Sequence, residues 1–302
     1  TPLDYLGMKV SQVNDEIYIT MDDYIENCLM KLELPESKIS QLPITESIEG
    51  KGVSPLLSPA ARHYFLTALG MAGWLSSTAR PDISYAVSRI GQHAADPTES
   101  ALKAIKKVFY YLQGTKRLGL KSSSSETARD EPWEFYCDSD YAGNSESQNK
   151  RRSQIGICAT INRAPIYWSS KVSSVCFANA DLEEAHADMS SAAVEIYGAG
   201  NATIEFLHLS YVSDEMGISF PKPIVLQIDN TAAIVFANAT AVKTTLKHID
   251  VRQHWVRLLR NKKLILPKWV HSPDNLADIF TKILTALVFL TLRNQMMFEL
   301  PQ

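Results

Sequence analysis

The chain has few cysteines and no long apolar run. Its four cysteines, spread over 302 residues, show no Cys-x-x-Cys spacing, which argues against a zinc knuckle and against a secreted disulfide scaffold. The longest apolar stretch, residues 283–292, is too short to span a bilayer. Neither an initiator methionine nor a signal segment opens the chain, so we expect a fragment of a longer intracellular protein.

A polar segment divides the chain into two parts. The serine-rich stretch 121–132 has almost nothing to bury, and we interpret it as a linker. Before it, the patterns predict a hairpin over 5–20, a helix over 59–76, and a helix that Asp96 caps and Gly114 ends. After it, the predicted strands are 133–138, 154–161, 164–168, 223–228 and 264–270, and the predicted helices are 187–209, 231–238, 247–260 and one from 275 onward.

Four acidic residues stand where these elements give them little structural reason to be, namely Asp138, Glu195, Asp229 and Asp278. Asp229 follows a buried strand directly, at the end where open α/β sheets bind ligands, although Asp229 or Asn230 could equally cap the next helix. If the four carboxylates converge, they repel one another unless cations lie between them. Hard oxygen ligands suit Mg²⁺ or Mn²⁺ rather than zinc, and a pair of such ions is the arrangement used for phosphodiester hydrolysis.

Positive charge is concentrated locally in a chain whose net charge is only −3, too small for a histone-like or membrane-surface protein. Residues 241–270 carry eight lysines and arginines against one acid, and a second cluster lies at 150–152. A single run of this kind usually does no more than keep a surface soluble, but two clusters flanking an acidic site favour phosphate binding. The expected phosphate contacts are Lys150, Arg151, Arg152, Lys247, Arg252 and Arg257.

A series of motifs resembles copia-type (Ty1/copia) retrotransposon Pol polyproteins. In chain order they are Tyr136-Cys-Asp138-Ser-Asp140, Arg151-Arg-Ser153, Trp168-Ser-Ser-Lys171, Ser190-Ser-Ala-Ala-Val-Glu195-Ile-Tyr197, Asp229-Asn230, Lys247-His-Ile-Asp-Val-Arg252 and Leu276-Ala-Asp278-Ile-Phe-Thr-Lys282. Upstream, Tyr5-Leu-Gly-Met8, Ala79-Arg-Pro-Asp-Ile83 and Tyr111-Leu-Gln-Gly-Thr115 look like the segment that follows the polymerase palm in the same polyproteins.

The resemblance implies an α/β fold of the ribonuclease H type over 133–292, with a five-stranded mixed sheet flanked by helices. A smaller, mostly helical remnant of the reverse transcriptase thumb or connection would occupy 1–120, and 293–302 would be a tail. The implied activity is endonucleolytic hydrolysis of the RNA strand of RNA/DNA hybrids with two Mg²⁺ ions, which Mn²⁺ could replace. Asp138 would bridge both ions, Glu195 and Asp229 would serve the leaving-group side, and Asp278 would serve the water side.

The implied partners are an RNA/DNA hybrid and the rest of the polyprotein, including the reverse transcriptase palm and the integrase. No association with a membrane is implied. The implied location is the cytoplasm, in virus-like particles, with a nuclear stage. Met21-Asp22-Asp23 resembles the Tyr-x-Asp-Asp motif of reverse transcriptases, but Thr20 stands in place of the tyrosine and the segment follows the palm. We therefore expect no polymerase activity from this fragment.

Several alternatives stay open at this point. Asp140 competes with Asp138, and an insertion over 177–188 brings four acids that compete with Glu195, namely Asp181, Glu183, Glu184 and Asp188. His271 could assist proton transfer or product release, although the segment lacks the glycines of a mobile histidine loop. An integrase-type strand transferase and a decayed copy that only binds nucleic acid are the rival functions.

Overall fold

The structure, a computed structural model, describes residues 2–123, 133–140, 152–161, 163–173, 187–218, 220, 222–239 and 254–300. Contacts divide the chain into two compact units, which are residues 1–129 with 283–302 (unit 1) and residues 130–282 (unit 2). Residues 283–292 thus group with unit 1, whereas the resemblance implies that they belong to the second domain. In the described ranges, no helix is both long enough and apolar enough to cross a membrane.

The fold is mixed α/β, with a five-stranded sheet in each unit. The strands are β1 (Leu3–Tyr5), β2 (Met8–Val13), β3 (Glu16–Thr20), β4 (Leu118–Ser123), β5 (Trp133–Asp140), β6 (Gln154–Ile161), β7 (Ala164–Val172), β8 (Ile224–Ile228), β9 (Ile265–Trp269) and β10 (Phe298–Glu299). The helices are α1 (Asp22–Lys31), α2 (Pro59–Thr78), α3 (Ser84–Gly91), α4 (Glu99–Gly114), α5 (Ala187–Glu215), α6 (Thr231–Asn238), α7 (His254–Asn261) and α8 (Ala286–Met296). Short 3-10 helices span Pro81–Ile83, Ser272–Asp274 and Leu276–Phe280.

Unit 1 contains an antiparallel sheet in the order β1-β2-β3-β4-β10 and the helices α1 to α4 and α8. Two predicted helices are confirmed as α2 and α4. The cap of α4 is Thr98 rather than Asp96, because the Thr98 side chain accepts the N–H of Ala101 at 3.3 Å. The expectation of a mostly helical unit missed this sheet, in which β4 continues through Ser123 into the predicted linker.

Unit 2 contains a mixed sheet in the order β7-β6-β5-β8-β9. β5, β6 and β7 are antiparallel neighbours, while β8 runs parallel to both β5 and β9. Phe135 on β5 and Leu226 on β8 are buried, and Phe206 from α5 packs edge-on against Phe135 at 5.9 Å. The five predicted strands, and α6 in full, are therefore confirmed.

Two helices of unit 2 differ from the sequence prediction. α5 continues to Glu215, beyond the predicted end at residue 209. The predicted helix 247–260 is described only from residue 254 onward, as α7; residues 247–253 lie outside the described residues. The helix predicted from 275 is instead a 3-10 helix over Leu276–Phe280, and α8 begins separately at Ala286 in unit 1.

Candidate metal centre

Three of the four acidic residues singled out in the sequence meet at one end of the unit 2 sheet. Asp138 is near the end of β5, and Asp229 directly follows β8, the parallel neighbour of β5. Glu195 projects from α5, which packs on β5. One oxygen from each of these carboxylates lies within 4.8 Å of the others. The side chain of Asn230, not that of Asp229, caps α6 by accepting the N–H of Ala233 at 2.9 Å, so Asp229 belongs to the cluster.

The fourth acid, Asp278, reaches the cluster from the 3-10 helix Leu276–Phe280. The buried Asn275 fixes the start of this helix, because its side chain accepts the N–H of Ala277 and donates to the carbonyl of Cys137 on β5, both at 3.1 Å. Ser170 on β7 fixes its end by donating to the carbonyl of Phe280 at 2.6 Å. The helix therefore lies across three adjacent strands.

Glycine allows this close approach at the middle strand. Gly156 on β6 pairs with Asp138 in the sheet register. A Cβ atom at residue 156 would lie 2.6 Å from the carbonyl oxygen of Ala277 and 2.9 Å from the Cβ of Phe280. The absence of a side chain at Gly156 is thus what allows the segment bearing Asp278 to rest on the sheet.

Each carboxylate is held by a neighbouring polar group. The backbone N–H of Ser139 donates to Glu195 Oε1 at 3.3 Å, and the hydroxyl of Ser272 donates to Asp229 Oδ2 at 2.9 Å. The hydroxyl of Thr281 donates to Asp138 Oδ2. The ammonium of Lys282 lies 2.9 Å from Asp278 Oδ2 and 3.5 Å from Asp138 Oδ2. These contacts fix the orientations of the acids without neutralising all of them.

Burial and mutual repulsion perturb the acids. Burial, and then the charges of Asp138 and Asp229, raise the pKa of Glu195 well above its ordinary value. Burial and Asp138 raise the pKa of Asp278 to about 7, and the same two causes raise the pKa of Asp229. Burial alone would lower the pKa of Lys282, but Asp138 and Asp278 outweigh it and the pKa is raised. Full ionisation of these acids is therefore unfavourable unless further positive charge is present.

Two buried oxygens of the cluster lack a hydrogen-bond partner among the described residues, namely Glu195 Oε2 and Asp278 Oδ1. Buried polar atoms are normally satisfied, so both oxygens are available to a further partner. An all-oxygen donor set of this kind fits a hard divalent cation. Asp138, Glu195 and Asp229, with Asp278 beside them, are the residues that could hold one.

The other candidates from the sequence lie in varied places. Asp140 is half-buried on β5, outside the group of three acids. His271 is exposed, and its ring packs edge-on against Trp269 at 5.9 Å. Asp22 and Asp23 form ion pairs with Lys9 at 3.2 and 3.0 Å in the first turn of α1.

The acids of the 177–188 insertion are not placed near the cluster by any described contact. Asp181, Glu183 and Glu184 lie outside the described residues, and of Asp188 only the backbone, in α5, is described.

The basic residues are only partly described. Lys150, Arg151, Lys247 and Arg252 lie outside the described residues, and Arg152 is half-buried. Arg257 is 8% exposed; its guanidinium donates twice to the carbonyl of Ala239 and stacks over Phe236 at 5.5 Å. The sequence predicts a phosphate contact for Arg257, whereas the guanidinium points inward, where it satisfies a carbonyl and covers an aromatic ring at the same time.

Sequence reasoning gave no role to four residues that hold the cluster, which are Ser272, Asn275, Thr281 and Lys282. The available signal was the four-residue spacing of Asp278 and Lys282, which often marks an ion pair. Nothing in the sequence indicated that the lysine would also reach Asp138 on a distant strand.

Comparison with known proteins relates most of the chain to transposon polyproteins, although no protein-family profile matches it. It is 26% identical over 287 residues to the retrovirus-related Pol polyprotein from transposon RE1 of Arabidopsis thaliana, covering 94% of this chain and 18% of that polyprotein. It is 25% identical over 285 residues to the corresponding polyprotein from transposon TNT 1-94 of Nicotiana tabacum, covering 92% of this chain and 20% of the polyprotein.

A shorter match is to the putative transposon Ty5-1 protein YCL074W of Saccharomyces cerevisiae. It is 28% identical over 174 residues, covering 55% of this chain and 52% of that protein. The chain spans about a fifth of the length of the two plant polyproteins it matches. Over most of its length, the chain is homologous to one region of the retrovirus-related Pol polyproteins of transposons, and these homologues support its assignment as a retrotransposon protein region.

Proposed function

We propose that unit 2 is a ribonuclease H that hydrolyses the RNA strand of RNA/DNA hybrids during retrotransposon reverse transcription. The observation that carries this proposal is the buried acidic cluster at the ends of β5 and β8, in which two carboxylate oxygens lack a partner among the described residues. The mixed sheet, with three antiparallel strands followed by two parallel ones, is consistent with a ribonuclease H-like fold. The transposon Pol homologues support the biological setting.

The residues of this chain have distinct parts in the proposed reaction. Asp138, Glu195, Asp229 and Asp278 would hold Mg²⁺ or Mn²⁺, which, when bound, supplies an activated water and stabilises charge on the scissile phosphate. The N–H of Ser139 and the hydroxyl of Ser272 keep Glu195 and Asp229 oriented. At metal centres, hydrogen bonds to the ligand side chains hold these side chains in the orientation that the metal requires.

The proposed substrate is recognised by shape rather than by base sequence. Phosphate contacts would come from the basic clusters at 150–152 and 241–270, in which the buried Arg257 instead contacts Ala239 and Phe236. Contacts to 2′-hydroxyl groups would distinguish the RNA strand from DNA. The polymerase palm and integrase of the full polyprotein are the proposed partners, and virus-like particles are the proposed location.

The direct test is cleavage of a hybrid labelled on the RNA strand, by the full chain in Mg²⁺. Asp138→Asn and Asp229→Asn each remove a ligand charge with little change of shape, and we expect each to lower the rate by at least about 100-fold. Asp214→Asn, at an exposed acid of α5, is the matched control and should retain full activity.

The other outcomes separate the rivals. Cleavage that survives both substitutions would contradict the assignment of the site. Hybrid binding without cleavage by the unaltered chain would indicate a decayed copy. Transfer of a DNA strand end, with the same dependence on Asp138, would favour the integrase-type reaction.

A further inference from the structure

The amino group of Lys282 lies inside the acidic cluster. Its Nζ is within 3.5 Å of an oxygen of Asp278 and of an oxygen of Asp138. These two acids come from different elements, the 3-10 helix and β5. A single ammonium group therefore bridges the two sides of the candidate metal centre.

Lys282 occupies ligand oxygens. It pairs with Asp278 Oδ2, whereas Asp278 Oδ1 has no partner among the described residues. At Asp138 it faces Oδ2, the oxygen that also accepts the hydroxyl of Thr281. An ammonium group and a divalent cation placed on the same carboxylates repel each other, so the two compete for the site.

Lys282 can leave the cluster more easily than the acids can. Its side chain is 37% exposed, against 4% for Asp138 and 7% for Asp278. The four-carbon stem of a lysine is flexible and can carry the charged head into solvent. The acids are anchored by the sheet and by the 3-10 helix, so a departing lysine leaves them in place.

We propose that Lys282 is a resident counter-cation, which holds Asp138 and Asp278 together in the metal-free protein and must be displaced when a divalent cation binds. This inference rests on the proposed metal centre. Lys282 is thus a positioning residue that stabilises the metal-free fold and lowers the affinity for the cation. A purely structural ion pair would have the opposite effect on affinity, because its loss would loosen the ligands.

The test is a calorimetric titration of the full, metal-stripped chain with Mn²⁺. Lys282→Met removes the charge and keeps the length of the side chain. We expect it to bind Mn²⁺ about tenfold more tightly and to melt at a lower temperature without metal. Lys282→Arg, which keeps the charge, should retain the original affinity, and so should Lys262→Met at an exposed lysine after α7.

Unchanged or weaker Mn²⁺ binding by a folded Lys282→Met variant would overturn the inference. If that variant is unfolded without metal, Mn²⁺ has to restore its near-ultraviolet circular dichroism, and failure to do so would also overturn it. Asp138→Asn should abolish the binding heat in either background; heat that persists would place the Mn²⁺ elsewhere and refute the displacement.

Hybrid cleavage, measured in parallel, separates this inference from the proposed function. Tighter Mn²⁺ binding without any cleavage contradicts only the ribonuclease assignment. Normal cleavage with unchanged affinity contradicts only the role given to Lys282.

Discussion

Both units bury charged side chains, but unit 1 satisfies them and unit 2 does not. In unit 1, Arg80 and Asp82 are fully buried, and both oxygens of Asp82 accept from the guanidinium, at 3.0 and 2.8 Å. The hydroxyl of Tyr111 also donates to Asp82 at 2.6 Å, and Arg80 donates further to Thr115. The charges are balanced and nearly every group has a partner, which is what a structural ion pair requires.

The cluster of unit 2 has four acids, one lysine and two oxygens without a partner among the described residues. Such an arrangement destabilises the fold unless something else binds there. A buried charge alone therefore does not indicate a binding site. A buried cluster whose charges are incompletely compensated does. Each of the following predictions tests this contrast.

Breaking the buried Arg80–Asp82 network of unit 1 should have the largest effect on stability. Arg80→Leu leaves the buried Asp82 without its counter-charge, and we expect a loss of about 3–5 kcal/mol in the free energy of unfolding. Urea unfolding measures it. The double variant Arg80→Leu, Asp82→Leu should lose less than the single one, because no unpaired charge remains; an equal or greater loss would contradict this account.

Disturbing the close approach at Gly156 should have the next largest effect. Gly156→Ala places a methyl group against the backbone of Ala277, and we expect a loss of about 1–3 kcal/mol together with slower hybrid cleavage. Gly73→Ala is the matched control, because nothing lies within 4 Å of a Cβ atom there. That control should gain up to about 1 kcal/mol through helix propensity. Equal effects at the two positions would show that the contact at Gly156 is not limiting.

Neutralising one acid of the incomplete cluster should stabilise the metal-free protein. Asp278→Asn removes a buried, repelled charge, and we expect a gain of roughly 1–2 kcal/mol at pH 8 in EDTA. The same variant should lose most of the stabilisation that Mg²⁺ gives to the unaltered chain. The measurement is urea unfolding with and without Mg²⁺, and a loss of stability in EDTA would contradict the prediction.

The last prediction concerns pH. Because burial and Asp138 raise the pKa of Asp278 from 3.8 to about 7, the folded metal-free protein binds more protons than the unfolded chain between these values. This contribution to stability is fully present below pH 3.8 and is lost as the pH rises through about 7. Unfolding in EDTA should therefore be easier at pH 8 than at pH 5.5, and Asp278→Asn should reduce the difference.

The sequence allowed the sheet of unit 2 and its acidic positions to be predicted, for identifiable reasons. The strands of unit 2 are rich in apolar residues, β8 alternates between buried and half-buried positions, and Asp138 and Asp229 stand at or near strand ends. Strand ends in a sheet with parallel neighbours converge, so convergence of these two acids could be expected. Asp278 was also selected by its place in a predicted helix, but the helix found there is the 3-10 helix Leu276–Phe280.

Other features could not be read from local patterns. The strands β4 and β10 pair residues about 180 positions apart, and β10 has only two residues, so no periodicity reveals it. The inward orientation of the Arg257 side chain depends on the carbonyl of Ala239, which accepts from its guanidinium. Helix periodicity does not reveal this contact. The second contact of Lys282, to Asp138, likewise depends on the tertiary fold.

The return of residues 283–302 to unit 1 makes unit 2 an insertion within another folded body. A chain cut after Lys282 would remove α8 and β10, and with them the edge-on packing of Phe289 on Tyr111 at 5.9 Å. Excision of 130–282 would instead leave every segment of unit 1 present. One contiguous segment therefore carries all four acids of the cluster, and removing it would take no residue from unit 1.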